Sequence, residues 1–177
     1  MSGAGKHRGS CCFFAGTHVM TVRGEVPVER LRRGDPVVIL GRRGRWLRPV
    51  KAVRRITDAP ELQAAPVRLA VGSLGAGKPH RALRLPAEHG LLIDGVLVPA
   101  RVLVGFGGVT WEAEATPAIG VRLTFETHDV LLAEGAPVEV WPDTAEAAGV
   151  AGRVVRVHAQ ASPVRAADPA PAGLLVP

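Results

Sequence analysis

The chain has 177 residues, of which 47% are hydrophobic and 21% charged, and its formal net charge is +6. This length and balance are those of one globular domain with a sizeable core. The two cysteines, Cys11 and Cys12, are neighbours in the sequence. Their adjacency excludes a disulfide framework and leaves them badly spaced for a structural zinc site.

No uninterrupted apolar stretch approaches the about 20 residues that a helix needs to cross a bilayer. The apolar piece from Cys11 to Gly16 is also too short for the core of a signal peptide. We therefore expect neither a membrane span nor export by the usual route, and the cytoplasm is the default compartment.

Much of the positive charge lies in an arginine-rich stretch between residues 30 and 55. Such a stretch can bind nucleic acid or an acidic membrane surface. Here the arginines alternate with apolar residues such as Val50 and Val53, as on the exposed face of strands, and the chain has no tyrosine on which bases could stack. We expect an exposed strand face and no nucleic-acid partner.

In chain order, the pattern predicts short β-strands separated by glycine and proline, with no long helical period. The fold class is therefore all-β. The predicted strands are Thr17–Val22, Pro36–Leu40, Arg45–Arg55, Ala65–Val71, Gly90–Ile93, Val96–Val98, Val109–Ala113, Val121–Thr127 and Val130–Ala133.

One tight hairpin is predicted from the dipeptide Asp94-Gly95, which stands between two short apolar runs. Asp-Gly tolerates the positive φ angles of a type I′ turn. This hairpin would place His89 at its open end.

The segment GSLGAGK, residues 72–78, has the spelling of a phosphate-binding P-loop. Pro79 stands where that motif requires Ser or Thr. Pro79 and Pro86 also prevent the helix whose N-terminus would hold phosphate. We therefore expect no nucleotide binding.

Both ends of the chain are predicted to be loose. Residues 1–10 precede the first strand, and the Ala- and Pro-rich sequence beyond about Val155 cannot bury enough apolar surface to hold an ordered structure. We divide the chain into a short N-terminal segment (1–11), a domain (12–140) and a C-terminal extension (141–177).

Three blocks of sequence resemble one known family in the right order. The first begins with CFFAGT at Cys12 and continues through the spacing V-E-x-L-x-x-G-D-x-V from Val28. The second contains His89 before LLIDGVLVPARVL, and the third is HDVLLAEGAPVE from His128. Together they are similar to bacterial members of the Hint family, which includes Hedgehog autoprocessing domains and inteins.

The resemblance implies a flattened horseshoe of short antiparallel strands, with Cys12 at the start of a central strand. It also implies chemistry on the bond between Cys11 and Cys12. The thiol of Cys12 would attack the carbonyl of Cys11 to form a thioester, and His89 would protonate the leaving nitrogen. His128 and Asp129 would polarise this bond or activate water.

In this interpretation Thr17 supports the first turn. We expect the sulfur of Cys12 and the ring of His89 to share one cleft, lined by His128 or Asp129.

Each of these residues also has a structural interpretation that needs no chemistry. Cys12 can be a small buried hydrophobe, and His89 a core histidine bonded to the backbone. His128 and Asp129 can form a turn between two strands. The remaining histidines are predicted to be surface residues: His7, His18, His80 and His158.

The sequence departs from the family pattern in three respects. Pro86 stands where the second block offers a Ser or Thr hydroxyl, three residues before His89. Arg122 and Leu123 stand where related sequences carry an aromatic residue and a histidine. The chain has no asparagine, so the cyclisation that completes intein splicing has no residue to act on.

The leading hypothesis is an autocatalytic domain that acts once, on its own chain. Its substrate is its N-terminal flanking peptide, and water or a small nucleophile resolves the thioester. We expect a monomer that uses no cofactor and no metal. Two alternatives stay open: a catalytically silent Hint-fold binding or structural module, and a cysteine hydrolase that uses Cys12 and His89 on an external substrate.

Overall fold

The computed structural model of the chain describes residues 12–41, 44–57, 59–112 and 118–142. Short strands dominate these residues, as expected for an all-β domain. The strands are β1 (Cys12–Phe14), β2 (His18–Thr21), β3 (Gly24–Pro27), β4 (Pro36–Gly41), β5 (Gly44–Pro49), β6 (Ala52–Ile56), β7 (Val67–Leu69), β8 (Leu83–Leu85), β9 (Gly90–Ile93), β10 (Val96–Pro99), β11 (Val109–Trp111), β12 (Gly120–Thr124), β13 (Asp129–Ala133) and β14 (Ala136–Val140).

Helical structure in the described residues is limited to single turns. These are the α-helix α1 (Pro60–Gln63) and two 3₁₀ turns, Val28–Arg30 and Ala100–Leu103. None of these helices has the length and hydropathy of a membrane span.

The named strands form three antiparallel sheets. One has the order β1-β12-β6, and another has the order β11-β7-β8. The largest runs β10-β9-β14-β13-β2-β4-β5, with β3 paired to β2. The segment of residues 72–78 forms turns closed by main-chain hydrogen bonds such as Leu74 N to Lys78 O (2.8 Å), and it contains no helix, in agreement with the exclusion of a P-loop.

The hairpin prediction at Asp94-Gly95 is confirmed. Both residues have positive φ angles, 47° and 80°, and they join β9 to β10 with Ile93 opposite Val96. Positive φ at both positions is the requirement of a type I′ turn. His89 immediately precedes β9, and its carbonyl accepts a hydrogen bond from Ala100 N at 2.9 Å, so it lies at the open end of the hairpin.

The prediction of one strand over Arg45–Arg55 is wrong, because two strands of different sheets occupy this stretch. β5 pairs with β4, and β6 pairs with β12. Between them Val50 turns into the core, where its N–H donates to Asp35 O (3.0 Å). Pro49 has no N–H with which to continue a ladder, so a strand end at this point is favourable. The strands β3, β8 and β14 were not predicted from the sequence.

The first strand lies at the edge of its sheet, where we had expected a central strand. β1 pairs only with β12 among the described strands, in a register that sets Cys12 opposite Arg122. The chain leaves this sheet through the Ala15-Gly16 turn and enters the largest sheet at β2.

Side chains of β1 alternate between two buried clusters, as the period of a strand requires. Phe13 belongs to the main core, together with Val19, Leu91 and Phe125. Cys12 and Phe14 belong to a smaller cluster with Ala59 and Leu62. The main chain of β1 is therefore enclosed by packed side chains on both faces.

Candidate active site around Cys12

The thiol of Cys12 is fully buried and contacts two charged side chains. Its Sγ lies 3.7 Å from Oε1 of Glu61 and 3.7 Å from Nη2 of Arg122. Arg122 reaches this position because it stands opposite Cys12 in the β1–β12 pairing, and Glu61 comes from the single turn of α1. Arg122 Nη2 and Glu61 Oε1 are 3.5 Å apart and form an ion pair.

Burial raises the pKa of the Cys12 thiol above its ordinary value. Arg122 opposes this effect because its positive charge and hydrogen bond favour the thiolate, whereas the carboxylate of Glu61 raises the pKa further. The thiol is accordingly protonated at neutral pH. The sulfur contacts both a proton acceptor, the carboxylate of Glu61, and a cation that stabilises the thiolate, the guanidinium of Arg122.

His89 is buried against the main chain of β1 on the opposite face. Its ring centroid lies 5.0 Å from that of Phe13. Its Nε2 donates to the main-chain carbonyl of Glu139 at 2.9 Å, so the neutral ring carries its proton on Nε2. Nδ1 is buried and has no hydrogen-bond partner among the described residues.

Burial lowers the pKa of His89, since the charged ring would be desolvated. The carbonyl and carboxylate of Glu139 and the main-chain carbonyl of Cys12 partly offset this effect, because all three favour the protonated ring. The resting imidazole is neutral. It has an unprotonated Nδ1 and interacts with the main chain of the residue that carries the thiol.

The expectation that Cys12 Sγ and the His89 ring share one cleft is wrong. The thiol lies in the smaller cluster, and His89 packs on Phe13 in the main core. Adjacent residues of a strand point to opposite faces, so the thiol and the ring approach β1 from two sides. His89 therefore lies on the face of β1 opposite the thiol and interacts with the main chain of Cys12.

Glu139 links the two histidines of the second and third sequence blocks. Its Oε1 lies 2.6 Å from Nε2 of His128, whose ring packs on Trp141 with a centroid separation of 4.4 Å. Its main-chain carbonyl accepts the hydrogen bond from His89. Gly90 leaves room for this carboxylate, because a Cβ at position 90 would collide with Glu139 Oε2.

Asp129 has other partners. Its Oδ2 accepts a hydrogen bond from Thr127 Oγ1 at 2.6 Å and lies 3.1 Å from Nε of Arg48. These contacts fix the start of β13. None of the contacts described for Asp129 is with Cys12 or His89.

Two residues shape the chain around the site. Thr17 is buried; its N–H donates to Phe14 O (3.1 Å), and its carbonyl accepts from Val28 N (2.8 Å), which closes the turn after β1. Pro86 is also buried, and its carbonyl accepts from His89 N at 3.0 Å, so it begins the turn that leads to the histidine.

Cys11, the other residue of the expected scissile bond, lies outside the described residues, as do residues 1–10 and the C-terminal segment beyond Pro142.

Three residues of this site were not predicted as functional: Glu61, Arg122 and Glu139. Glu139 stood inside the third sequence block, where its place at the end of HDVLLAEGAPVE could have marked it. In the sequence, Arg122 stands out only as a departure from the family pattern. For Glu61 the sequence offers no signal, since its position depends on how α1 packs against β1.

Comparison with known proteins agrees with this fold. The Hint domain family model matches residues 11–145, about three quarters of the chain, and the chain belongs to this family of autoprocessing-type domains. The solution structure of a bacterial intein-like domain from Clostridium thermocellum is similar, with a TM-score of 0.53 and 18% sequence identity over 74% of this chain and 99% of that one. At this identity the similarity shows the fold. No curated protein matches the chain.

Proposed function

We propose that this domain cleaves its own chain on the N-terminal side of Cys12. The sulfur of Cys12 attacks the carbonyl carbon of Cys11, a C–S bond forms and the C–N bond breaks. The thiol gives up its proton, and the amide nitrogen of Cys12 gains one and becomes a free amine. The observation that carries the proposal is the arrangement at Cys12, with an acid–base pair at its thiol and a buried histidine at its main chain.

Glu61 and Arg122 activate the thiol. The carboxylate of Glu61, 3.7 Å from Sγ, accepts the thiol proton, and the guanidinium of Arg122 at the same distance stabilises the thiolate. The positive charge of Arg122 lowers the pKa of the thiol and so offsets part of the effect of burial. The pair therefore acts on a thiol that is protonated at rest.

His89 protonates the leaving nitrogen. The resting ring is neutral and Nδ1 has no hydrogen-bond partner among the described residues, so Nδ1 first takes up a proton from solvent. The imidazolium then donates this proton to the amide nitrogen of Cys12 and returns to the neutral form, while the thiol proton accepted by Glu61 returns to solvent. The carboxylate of Glu139 stabilises that cation, and His128 holds the carboxylate in position through its 2.6 Å contact. His128 is thus a positioning residue. Asp129 positions the start of β13 and takes no part in proton transfer.

The thioester is resolved by water or a small nucleophile, and the product is a free N-terminal peptide. Formation of the thioester from an amide is thermodynamically unfavourable. The enclosed, water-poor surroundings of β1 are therefore part of the mechanism. The sequence contains no asparagine, so we propose cleavage without splicing. We propose residues 12–140 as the self-cleaving unit, acting as a monomer.

A catalytically silent Hint-fold module is the second candidate, and Pro86 favours it. Proline supplies neither a hydroxyl nor an N–H to an oxyanion at this position, three residues before His89. A hydrolase that acts on external substrates is less favoured, because the Cys12 side chain is fully buried.

The test is a fusion of a folded reporter ahead of Ser10-Cys11-Cys12. Wild type incubated with dithiothreitol should release the reporter, since thiols exchange with thioesters. Cys12→Ala should stay intact, because it lacks the only atom that can attack through a five-membered ring. An intact wild-type fusion, with a native circular dichroism spectrum, would favour the silent module.

A further inference from the structure

A second cluster of polar side chains, away from the contacts of Cys12, brings together residues from three distant parts of the sequence. Nε2 of His80 lies 2.8 Å from Oε1 of Glu25 and 4.0 Å from Oε2 of Glu134. One donor atom from each of the three residues lies within 4.8 Å of the others. Nδ1 of His18 is 3.0 Å from Oε1 of Glu134. His80 is exposed, as predicted from the sequence, and His18 is partly buried; both belong to this polar cluster.

We propose that Glu25, His80 and Glu134 bind one divalent transition-metal cation, with His18 as the fourth ligand and Zn²⁺ as the best fit. Zinc takes four ligands at about 2.0–2.2 Å in a tetrahedron, which places donor atoms about 3.3–3.6 Å apart. The separations of 2.8 and 4.0 Å lie on either side of that value. Imidazole nitrogens select zinc over Mg²⁺ and Ca²⁺, which prefer oxygen ligands.

Main-chain hydrogen bonds hold the ligands together before any cation binds. His80 N donates to Glu134 O at 2.9 Å, and Glu134 N donates to His18 O at 2.9 Å. Glu25 stands on β3, which pairs with the strand that carries His18. The three segments that supply the ligands are thus connected through their backbones, and small side-chain movements suffice to close the site.

Gly135 creates the space for the imidazole of His80. A Cβ at position 135 would come within 2.5 Å of Nδ1 of His80, so the ring lies against a turn that only glycine leaves open. With Nδ1 directed at this turn, Nε2 faces the two carboxylates.

The carboxylate of Glu134 already faces hydrogen-bond donors and a cationic side chain. It is only 5% exposed, and it accepts hydrogen bonds from His18 N and from Arg81 Nε. Arg81 occupies the place of the cation: its Nε is 2.7 Å from Glu134 Oε2, and its Nη2 contacts Glu25.

Arg81 also separates the proposal from its alternative, an ion-pair network with no metal. Its side chain is 46% exposed, so it can swing into solvent when a metal arrives. If a metal binds, Arg81 competes with it, and Arg81→Ala should tighten binding. If the cluster is only a network of ion pairs, Arg81→Ala should weaken the fold and create no metal affinity.

The test is a pair of titrations of the untagged, chelator-treated full chain. Binding of ZnCl₂ is measured by calorimetry, and binding of CoCl₂ is measured by visible absorption. Cys11→Ser and Cys12→Ala are present in every sample, so that thiols contribute nothing. We expect one cation per chain and the visible bands of tetrahedral Co²⁺. His80→Ala and Glu25→Gln should each weaken binding at least 10-fold, and Arg81→Ala should strengthen it at least 3-fold. His158→Ala is the matched control and should leave the affinity unchanged.

Absence of saturable binding would overturn the proposal, as would binding that His80→Ala and Glu25→Gln both leave unchanged. A loss of affinity in Arg81→Ala would also contradict it. Because the cysteines are removed, the result does not depend on whether the domain cleaves itself.

Discussion

The imidazole of His89 and the main chain of Glu139 are joined by a 2.9 Å hydrogen bond from Nε2 to the carbonyl oxygen, and the carboxylate of the same glutamate contacts His128. This relationship fixes the tautomer of a fully buried ring and leaves Nδ1 without a proton. It also gives the imidazolium form a nearby negative charge. The proposed proton transfer to the Cys12 nitrogen requires this imidazolium form, in which Nδ1 carries the second proton.

Glu139→Gln tests the role of that charge. The substitution keeps the size of the side chain and the carbonyl that binds His89, and it removes the negative charge that favours the imidazolium. We expect release of a fused reporter to slow by about 10-fold, with the pH profile of the rate displaced to lower pH. A slower rate with an unmoved pH profile would mean that Glu139 acts only by packing.

Arg122→Met tests thiol activation. Losing the guanidinium should raise the pKa of Cys12 further, because burial is then opposed by less positive charge. We expect release at pH 7 to fall by about 10- to 100-fold, with the deficit shrinking at higher pH as the thiolate forms without help. Arg122→Lys keeps the charge and should retain part of the activity. A deficit that is the same at pH 7 and pH 9 would contradict this role.

Pro86→Thr tests whether the missing hydroxyl limits the reaction. The carbonyl of residue 86, which accepts the His89 N–H, is preserved, and a donor is added where proline has none. Since a single oxyanion donor is worth about 10²–10³ in rate, we expect the variant to release the reporter at least 10-fold faster than wild type. An unchanged rate in a folded variant would show that Pro86 does not limit cleavage.

The lowered pKa of His89 predicts how folding stability depends on pH. The unfolded histidine titrates near its ordinary pKa of about 6.5 and the folded one below it, so between these values the unfolded chain binds more protons. The free energy of unfolding should therefore fall as pH is lowered from about 7.5 towards 5, by at most about 1.4 kcal/mol per pH unit from this residue. Urea unfolding of wild type and His89→Leu measures the effect. Parallel losses of stability in the two proteins would contradict it.

Much of the fold could be predicted from the sequence because its signals are local. The Asp94-Gly95 dipeptide predicts one hairpin, which the structure contains, and the three motif blocks indicate the family that the family model matches. The strand break at Val50 was missed because arginines and apolar residues continue across it.

The site was predicted less completely, because its geometry depends on packing between distant segments. The positions of Cys12 and His89 follow from the motifs, but the alternation of β1, which places the thiol and the ring on opposite faces, requires the strand register. The contact of Glu61 with Cys12 joins residues 49 positions apart, and no local pattern encodes it.

The central claim is that the sulfur of Cys12 becomes acylated by the residue before it, and mass spectrometry of hydroxylamine-treated fusions tests this most directly. Hydroxylamine converts a thioester to a hydroxamate, so the released reporter should end at Cys11 with that modification. Cys12→Ala should give none of this product, and His89→Ala should form it about 10² to 10⁴ times more slowly. Release at another peptide bond, or an equal yield from Cys12→Ala, would contradict the account.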